Sequence, residues 1–315
     1  MMNQSNGSAI AIAYWLSRLF PQTVDLANTT DCFFFHSSNV KGLTEAEVNE
    51  LLIQSATWRY DYERQWRTLD RCFDIPLEPM LKGKTVLDFG CFVGGTTMAW
   101  MEQYGFAAAV GFDTERLFAD GANTFARMKG ANARFVAAFG ESLPFEDQSV
   151  DAVISLDVFE HVYDPAACLR ECYRVLRPGG FLLAVFPPFF GPISHHLKTT
   201  YTPFLHWIFG GETLRLAQNR RFEELGHEWS HFIMDKVPEY RVPTLNGLTA
   251  RHFYRLLDEG GWTLIYDRRK GIPSFGETAW SSRVWRAISR LTSIPARLPL
   301  LEEVFLDHVT AIAKK

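Results

Sequence analysis

Two short apolar runs in this sequence each end in an aspartate, and a glycine-rich turn follows the first of them. Residues 86–95 read VLDFGCFVGG, with Asp88 two positions before Gly90, and residues 110–113 read VGFD, ending in Asp113. A glycine turn after a strand lets a ligand approach the backbone closely, and an acid at the end of the next strand can accept hydrogen bonds from ribose hydroxyls. This combination predicts a pocket for an adenosine-containing cofactor in an α/β protein.

The spacing of the glycines distinguishes between such cofactors. The turn that binds nicotinamide dinucleotides has glycines at relative positions zero, two and five. Here they lie at positions zero, four and five, as Gly90, Gly94 and Gly95, and Phe92 occupies the second position. The spacing therefore argues against a nicotinamide cofactor, and a nicotinamide-dependent reductase is kept only as an alternative.

The elements that must position these residues alternate between strands and helices from residue 85 onward. The predicted strands are 86–89, 108–112, 134–138, 150–156, 181–186, 262–266 and 308–313. The predicted helices between them are 94–104, 115–128, 165–176 and 249–259, the last with Thr249 as its N-cap. Such alternation is typical of a mainly parallel sheet with helices on both faces.

Two regions do not fit the alternation and predict the domain organisation. Residues 1–80 are predicted to form a helical N-terminal extension or lid, and residues 81–315 the main domain. A cap insert rich in aromatic residues and histidine is predicted at about 189–247, and a second insert at about 271–307.

Helix signals in the N-terminal extension support this assignment. Thr44 and Glu47 have the spacing of a capping box ahead of Val48. Apolar residues further on recur at helical spacing up to two prolines, which close the segment. These residues are Tyr62, Trp66, Leu69 and Phe73, with Pro76 and Pro79 after them.

Four further segments, taken together with Asp88 and its glycine turn, resemble a known family. They read ESLPF at 141–145, VDAV at 150–153, DVFEHV at 157–162 and RVLRPGG at 174–180. In this order they resemble the class I S-adenosylmethionine-dependent methyltransferases. The resemblance is greatest to the type 11 branch, which includes the ubiquinone and menaquinone biosynthesis methyltransferases. It implies a Rossmann-like, seven-stranded, doubly wound sheet with six parallel strands and one antiparallel strand.

The same resemblance implies S-adenosylmethionine as the cofactor and a set of residues that bind it. Asp88 would orient the glycine turn and the methionine amine, and Asp113 would accept hydrogen bonds from both ribose hydroxyls. Backbone groups after the third strand would contact the adenine, and the acid after the fourth strand would lie beside the methionyl part. The full set is Asp88, Gly90, Gly94, Asp113, Gly140, Glu141 and Asp157.

Two residues depart from the family pattern. Phe92 replaces the usual middle glycine, and Phe139 stands where many relatives carry an acid that binds the adenine amino group. These departures put the affinity for the cofactor in doubt, and they make a non-catalytic binding or scaffold protein on the same fold an alternative function.

The chemistry of methyl transfer needs few catalytic groups, because a sulfonium methyl is already activated. An alcohol or amine acceptor usually also needs a base, and histidine titrates near neutrality. The candidate bases are His161, after the fourth strand, and His196 and His231 in the cap. Local packing of His161 and a polar substrate wall in the cap are the alternatives. No compact ligand spacing such as His-Glu-x-x-His occurs, so no metal site is predicted.

Composition restricts the partners and the location. The formal net charge is -4, which argues against general nucleic-acid binding, and no segment is long and apolar enough to cross a bilayer. The five cysteines form no zinc-type pattern and are interpreted as reduced thiols of a cytoplasmic protein. Arg283, Arg286 and Arg290 recur at helical spacing and could contact an anionic membrane surface or a phosphorylated substrate, or form a solvated face.

Together these features predict a cytoplasmic methyltransferase that acts on a small molecule. The aromatic residues and histidines of the cap suit an amphiphilic acceptor of lipid or sugar type, with oxygen as the expected acceptor atom and nitrogen or carbon as alternatives.

Overall fold

The computed structural model describes residues 7–20, 44–192, 194, 197, 200, 202–224, 245–269, 271, 290–298 and 301–315. The strands in this part of the chain are β1 (Thr85–Phe89), β2 (Ala108–Asp113), β3 (Ala133–Ala137), β4 (Val150–Leu156), β5 (Leu176–Phe186), β6 (Thr263–Asp267) and β7 (Val309–Lys314). The helices are α1 (Gly7–Leu16), α2 (Glu45–Trp66), α3 (Thr68–Phe73), α4 (Glu78–Leu81), α5 (Gly95–Tyr104), α6 (Arg116–Lys129), α7 (Pro165–Val175), α8 (Leu205–Ile208), α9 (Gly211–Glu224) and α10 (Ala250–Glu259). A short 3-10 helix (Pro295–Arg297) and a one-turn helix (Glu302–Phe305) precede β7.

The seven strands form one sheet in the order β3-β2-β1-β4-β5-β7-β6. Strands β1 to β5 pair in parallel, and β7 runs antiparallel to both of its neighbours, β5 and β6. Six strands therefore share one direction and β7 opposes them. This confirms the predicted Rossmann-like, doubly wound, seven-stranded sheet.

Helices cover both faces of the sheet, as side-chain alternation along the central strands requires. On one face, Leu87 of β1 and Val153 of β4 lie in a core cluster with residues of α7 and α10. On the other face, Val86 and Ile154 lie in a cluster with residues of α3, α4 and α5, among them Trp100. Successive side chains of a strand point to opposite faces, so the two neighbouring residues Val86 and Leu87 belong to different cores.

The N-terminal helix α2 packs directly on the sheet domain. A Cβ built on Gly95, at the start of α5, would lie 2.1 Å from the Ala56 carbonyl oxygen of α2. A Cβ built on Gly121 of α6 would lie 3.2 Å from Leu52 Cβ. Glycine at these two positions thus lets α2 approach α5 and α6 closely.

Helix α2 begins as predicted and ends earlier than the apolar spacing indicated. The Thr44 hydroxyl accepts from the Glu47 N–H, and the Glu47 carboxylate accepts from the Thr44 N–H, which confirms the capping box. The helix stops at Trp66 because Arg67 adopts a left-handed conformation with φ of +47°. The interpretation of the spacing as one run up to residue 73 is therefore wrong, and α3 is a separate helix.

Helix α1 joins the described part of the cap. Ala13 and Tyr14 share a small apolar cluster with Leu205, Leu214 and Ala217 of α8 and α9, and the Tyr14 hydroxyl donates 2.8 Å to Glu224. The predicted inserts at 189–247 and 271–307 are described only in part. No described helix is long and apolar enough to cross a membrane.

Candidate functional site

The candidate site lies at the carboxyl ends of β1, β2 and β4, where the order of strands reverses. Strand β1 pairs with β2 on one side and with β4 on the other. In an open parallel sheet, ligands bind in the crevice at such a reversal, because the loops from the two strands leave in opposite directions. The acids predicted from the sequence, Asp88 and Asp113, lie at these strand ends.

The glycine loop after β1 is bound to the end of β2. The Cys91 N–H donates 2.9 Å to the Phe112 carbonyl oxygen, and the Phe92 N–H donates 3.1 Å to Asp113 Oδ2. Asp113 Oδ1 accepts from the Glu115 N–H at 3.1 Å. These two bonds fix the Asp113 carboxylate toward the loop, and each carboxylate oxygen has a second lone-pair site for a ligand hydroxyl.

The glycines of the loop are required by the protein itself. Gly90 has φ of +88°, and a Cβ there would lie 2.5 Å from Val158 Cγ2. Gly94 has φ of +73°, and a Cβ there would lie 2.8 Å from the Ala122 Cβ of α6. The sequence interpretation explained both by close approach of the cofactor, and the structure adds that protein atoms occupy the space beside them.

Phe92, one of the two departures from the family pattern, has a backbone conformation that glycine adopts more readily than other residues. Its φ is +47°, and its ring packs edge-on against Phe118 of α6 with centroids 4.4 Å apart. The guanidinium carbon of Arg59, on α2, lies 4.8 Å from the centroid of the same ring. The side chain thus links the glycine loop to two helices, while its backbone N–H holds Asp113.

Burial makes the two acids weaker than ordinary aspartates. The pKa of Asp88 is raised to about 7, chiefly by burial and further by the Asp113 charge, although the Thr97 hydroxyl donates to it. The pKa of Asp113 is raised to about 6 by burial, against the hydrogen bonds from Glu115 and Phe92. A ligand that brings an ammonium group or hydroxyl donors would favour the ionised forms of both.

The segment after β3 presents an aromatic ring and a glycine. Phe139 is 56% exposed, and a Cβ on Gly140 would lie 2.4 Å from the Phe89 ring. The Glu141 carboxylate accepts from the N–H groups of Tyr163 and Asp164, at 2.9 and 3.1 Å. The side chain of Glu141 therefore fixes the loop before α7, which leaves Phe139 and the backbone of this segment as the groups that can meet an adenine.

Three titratable residues in the first part of the loop after β4 bear on the site. Asp157 has φ of +56°, and its N–H donates 2.8 Å to the Val185 carbonyl oxygen. Glu160 is buried, and burial together with the Asp157 charge raises its pKa well above the usual range. His161 Nε2 lies 3.6 Å from Glu160 Oε1. His161 is thus placed beside an acid on the loop where the sequence predicted a base.

Asp307 and His308 belong to the same edge and were missed as site residues by the sequence analysis. His308 Nδ1 lies 2.6 Å from Asp307 Oδ2, and its Nε2 lies 3.8 Å from Asp157 Oδ1. Histidine 308 was assigned to the last strand. Because that strand is antiparallel, the residue just before it lies at the carboxyl edge of the other strands. The one antiparallel strand was implied only by the family resemblance, and the residues near position 308 do not indicate it.

Other predicted site residues lie outside the described part of the chain. These are His196, His231, Arg283 and Arg286; Arg290 is described and exposed. Contact of the arginines with an anionic surface stays a prediction. Within the described ranges, no group of three His, Cys, Asp or Glu residues could hold a metal ion.

The aromatic residues of the cap form a connected group beside this edge. Phe189 contacts Phe190 and His206, and Trp207 contacts Phe190 and Phe204. The His206 ring hydrogen-bonds the Phe189 carbonyl oxygen at 2.7 Å. By contrast Phe186 is fully buried in the core, where it packs between the sheet and the helices.

A comparison with known families identifies the central segment of this chain. Residues 87–184, from β1 to β5, match the family model of the methyltransferase domain. This segment is a class I S-adenosylmethionine-dependent methyltransferase domain. The predicted family is thereby confirmed, and both acids and the glycine loop fall inside the matched segment.

Individual relatives of this methyltransferase domain align with different shares of the chain. An uncharacterised methyltransferase of Mycobacterium sp. (strain KMS) is 36% identical over 149 residues, which are 46% of this chain and 52% of that protein. The chain thus matches only about half the length of that relative. A ubiquinone biosynthesis O-methyltransferase of Aliivibrio fischeri (strain MJ11) is 28% identical over 224 residues, 68% of this chain and 88% of that protein. A methyltransferase structure from Mesorhizobium loti aligns with a TM-score of 0.47 and 15% identity, over 81% of this chain and all of that one.

The residues of the methyltransferase domain fit an adenosyl cofactor. Asp113 is held by backbone N–H groups in an orientation that leaves lone pairs for ribose hydroxyls. Asp88 is a buried acid whose ionised form a ligand ammonium group would stabilise. The two departures, Phe92 and Phe139, leave both acids in position.

Proposed function

We propose that this protein transfers a methyl group from S-adenosylmethionine to a hydroxyl oxygen of a small molecule. The observation that carries the proposal is the hydrogen bond from the Phe92 N–H to Asp113, which joins the glycine loop to the acid of β2. It supports a continuous adenosyl site across β1 and β2 despite the missing middle glycine.

Each part of the site has a role in holding the cofactor. Asp113 would accept hydrogen bonds from the ribose hydroxyls, and Asp88 would sit behind the loop toward the methionine amine. Phe139 would stack on the adenine, replacing the acid that many relatives use. Asp157, at the end of β4, would lie beside the methionyl part, whose sulfonium supplies the activated methyl.

The rest of the mechanism consists of aligning the acceptor with the methyl group. The chain has to place the acceptor oxygen in line with the methyl–sulfur bond and to exclude water. The loop after β4 and the start of β7 would surround the reactive end of the cofactor, and the aromatic group of the cap would cover the acceptor. A base at this edge would take the proton that the acceptor hydroxyl loses.

An amphiphilic acceptor suits this cap, which combines aromatic rings with polar groups. The exposed ring of Trp207 and the contacts of Phe189, Phe190 and Phe204 supply apolar surface, and His206 lies among them. The O-methyltransferase among the relatives supports oxygen as the acceptor atom. The four described cysteines are buried and form no disulfide with one another, which supports a reducing, cytoplasmic location.

Calorimetry with S-adenosylhomocysteine, the demethylated product, tests the proposal. Asp113→Asn should weaken binding by about 10- to 100-fold, because charge-assisted hydrogen bonds to the ribose are lost. Asp120→Asn is the matched control, since Asp120 is an exposed acid of α6. Transfer of a labelled methyl group to a panel of catechols and other hydroxyl compounds then defines the acceptor.

A second candidate function is a scaffold on the same fold that has lost catalysis. The positive φ of Phe92 and the exposed Phe139 favour it, because both replace groups that bind the cofactor in relatives. Failure of the wild-type protein to bind either S-adenosylmethionine or its product would favour the scaffold. The family match argues against the nicotinamide-dependent reductase.

A further inference from the structure

The register of β7 brings a histidine to the reactive edge of the sheet. Val309, the first residue of β7, pairs with Phe186, the last residue of β5. Asp157 is tied to the same end of β5, because its N–H donates to the Val185 carbonyl oxygen. His308 and Asp157 therefore flank the carboxyl end of β5, although 151 positions separate them in the sequence (308 − 157).

A buried carboxylate orients this histidine. The side chain of Asp307 is 5% exposed and its Oδ2 lies 2.6 Å from His308 Nδ1. An ionised Asp307 can only accept, so in its contact Nδ1 carries the proton and the basic lone pair of the neutral ring is on Nε2. Nε2 points toward the site, 3.8 Å from Asp157 Oδ1. The His308 side chain is 19% exposed, so it is not sealed from solvent.

We propose that His308 is the general base of the methyl transfer and that Asp307 is its positioning residue. The proposal rests on the proposed methyltransferase function. The acceptor oxygen forms a bond to the methyl carbon, the carbon–sulfur bond breaks, and its electron pair stays on the sulfur. The hydroxyl proton moves to His308 Nε2, and the imidazolium that forms lies between the carboxylates of Asp307 and Asp157 before it releases the proton to water.

The arrangement around His308 differs from that around His161, the base candidate on the β4 loop. His161 lies 3.6 Å from Glu160, beyond the distance of a hydrogen bond. Burial and the Asp157 charge raise the pKa of Glu160, so the ionised form of this acid is disfavoured. His308 instead has a carboxylate at hydrogen-bond distance on one nitrogen and a second carboxylate facing the other.

The first test needs no acceptor. Full-length protein labelled with ¹⁵N-histidine, saturated with S-adenosylhomocysteine, is examined by NMR, and the His308 signals are assigned from their loss in His308→Gln. The proposal expects a proton on Nδ1 and none on Nε2 in the neutral ring, with Asp307→Ala abolishing this preference. A neutral ring with its proton on Nε2 overturns the proposal.

The second test is kinetic and uses catechol and 4-nitrocatechol, whose more acidic hydroxyl needs less help from a base. His308→Ala should lower the rate with catechol by on the order of 100-fold or more, lower the rate with 4-nitrocatechol less, and recover in part when imidazole is added. His252→Ala, which changes an exposed histidine of α10, should match the wild type.

The outcomes separate this inference from the proposed function. A wild-type rate with catechol in His308→Ala, or an equal loss on both probes without rescue by imidazole, overturns the role of His308. Calorimetry on the same variant should show unchanged affinity for S-adenosylhomocysteine. Absence of that binding in the wild type would instead contradict the methyltransferase proposal itself.

Discussion

Phe92 and Asp113 are joined through the backbone of one and the side chain of the other: the Phe92 N–H donates 3.1 Å to Asp113 Oδ2. The bond does not depend on the aromatic ring. A phenylalanine can therefore occupy the position of the usual glycine and still hold the acid of β2 in place, because the group that orients the acid is the amide. The ring instead contacts Phe118 and Arg59.

Replacing Phe92 by glycine separates the contribution of its backbone N–H from that of its ring. Phe92→Gly removes the strain of the positive φ but loses the contacts with Phe118 and Arg59, so we expect a net loss of about 1–2 kcal/mol in the free energy of unfolding. Affinity for S-adenosylhomocysteine should stay within about 3-fold of the wild type, since the N–H to Asp113 is kept. Urea denaturation and calorimetry measure both. Phe92→Leu is the control that keeps an apolar side chain and loses the aromatic contacts, and a large loss of affinity in Phe92→Gly would contradict this account.

Burial of Asp88 predicts a pH dependence of stability. Its pKa in the folded protein is about 7, above the ordinary value of 3.8. The folded state therefore binds this proton more tightly than the unfolded state. The resulting stability is fully present below pH 4 and is lost as the pH rises through 7.

Asp88→Asn should remove this dependence. The free energy of unfolding of the variant minus that of the wild type should increase from pH 5 to pH 8. For a pKa shift of this size, the increase is about 3 kcal/mol. Denaturation curves of the ligand-free proteins at the two pH values measure the gain. Asp120→Asn, at an exposed position of α6, should show no such change, and an equal difference at both pH values would refute the assignment.

Glu63 illustrates what could not be predicted from the sequence. It is a buried acid of α2 that accepts hydrogen bonds from Trp100 Nε1 at 3.1 Å and from the Thr68 hydroxyl. Its position depends on the break of the helix at Arg67, a non-glycine residue with positive φ that leaves no signal in the sequence. Periodicity alone therefore merged α2 with α3, whereas local signals such as the capping box at Thr44 were sufficient to locate the start of α2.

Removal of the Glu63 carboxyl should destabilise the protein. Glu63→Ala leaves the buried Trp100 N–H and the Thr68 hydroxyl without this acceptor, and we expect a loss of about 3 kcal/mol. Glu63→Gln keeps one acceptor oxygen and should lose less than half as much. Glu50→Ala, on an exposed position of the same helix, is the control for helix propensity. Thermal and urea unfolding measure all three, and equal effects at positions 50 and 63 would contradict a role for the buried carboxyl.

Some residues of the site could be predicted from the sequence and others could not, depending on whether local sequence signals determine their position. Strand β4 has the predicted bounds, because a continuous apolar run with adjacent turn signals identifies a buried strand. Asp88 and Asp113 follow such runs, so their position at the sheet edge was readable. The contact of His308 with Asp157 depends instead on the direction of β7, which pairs antiparallel with β5. That direction is a property of the whole sheet and is not encoded in the residues near position 308.

The glycine at the start of the loop allows a last prediction. A Cβ on Gly90 would lie 2.5 Å from Val158 Cγ2 at φ of +88°, so Gly90→Ala adds a steric clash to backbone strain and should cost about 3 kcal/mol of unfolding free energy. Gly130→Ala, at φ of +63° with no atom within 4 Å, carries the strain alone and should cost about 1 kcal/mol. In Gly90→Ala/Val158→Ala the clash is relieved, so the two substitutions should couple by about 1–2 kcal/mol in a double-mutant cycle. Strict additivity of the two would show that Val158 is not what requires glycine at this position.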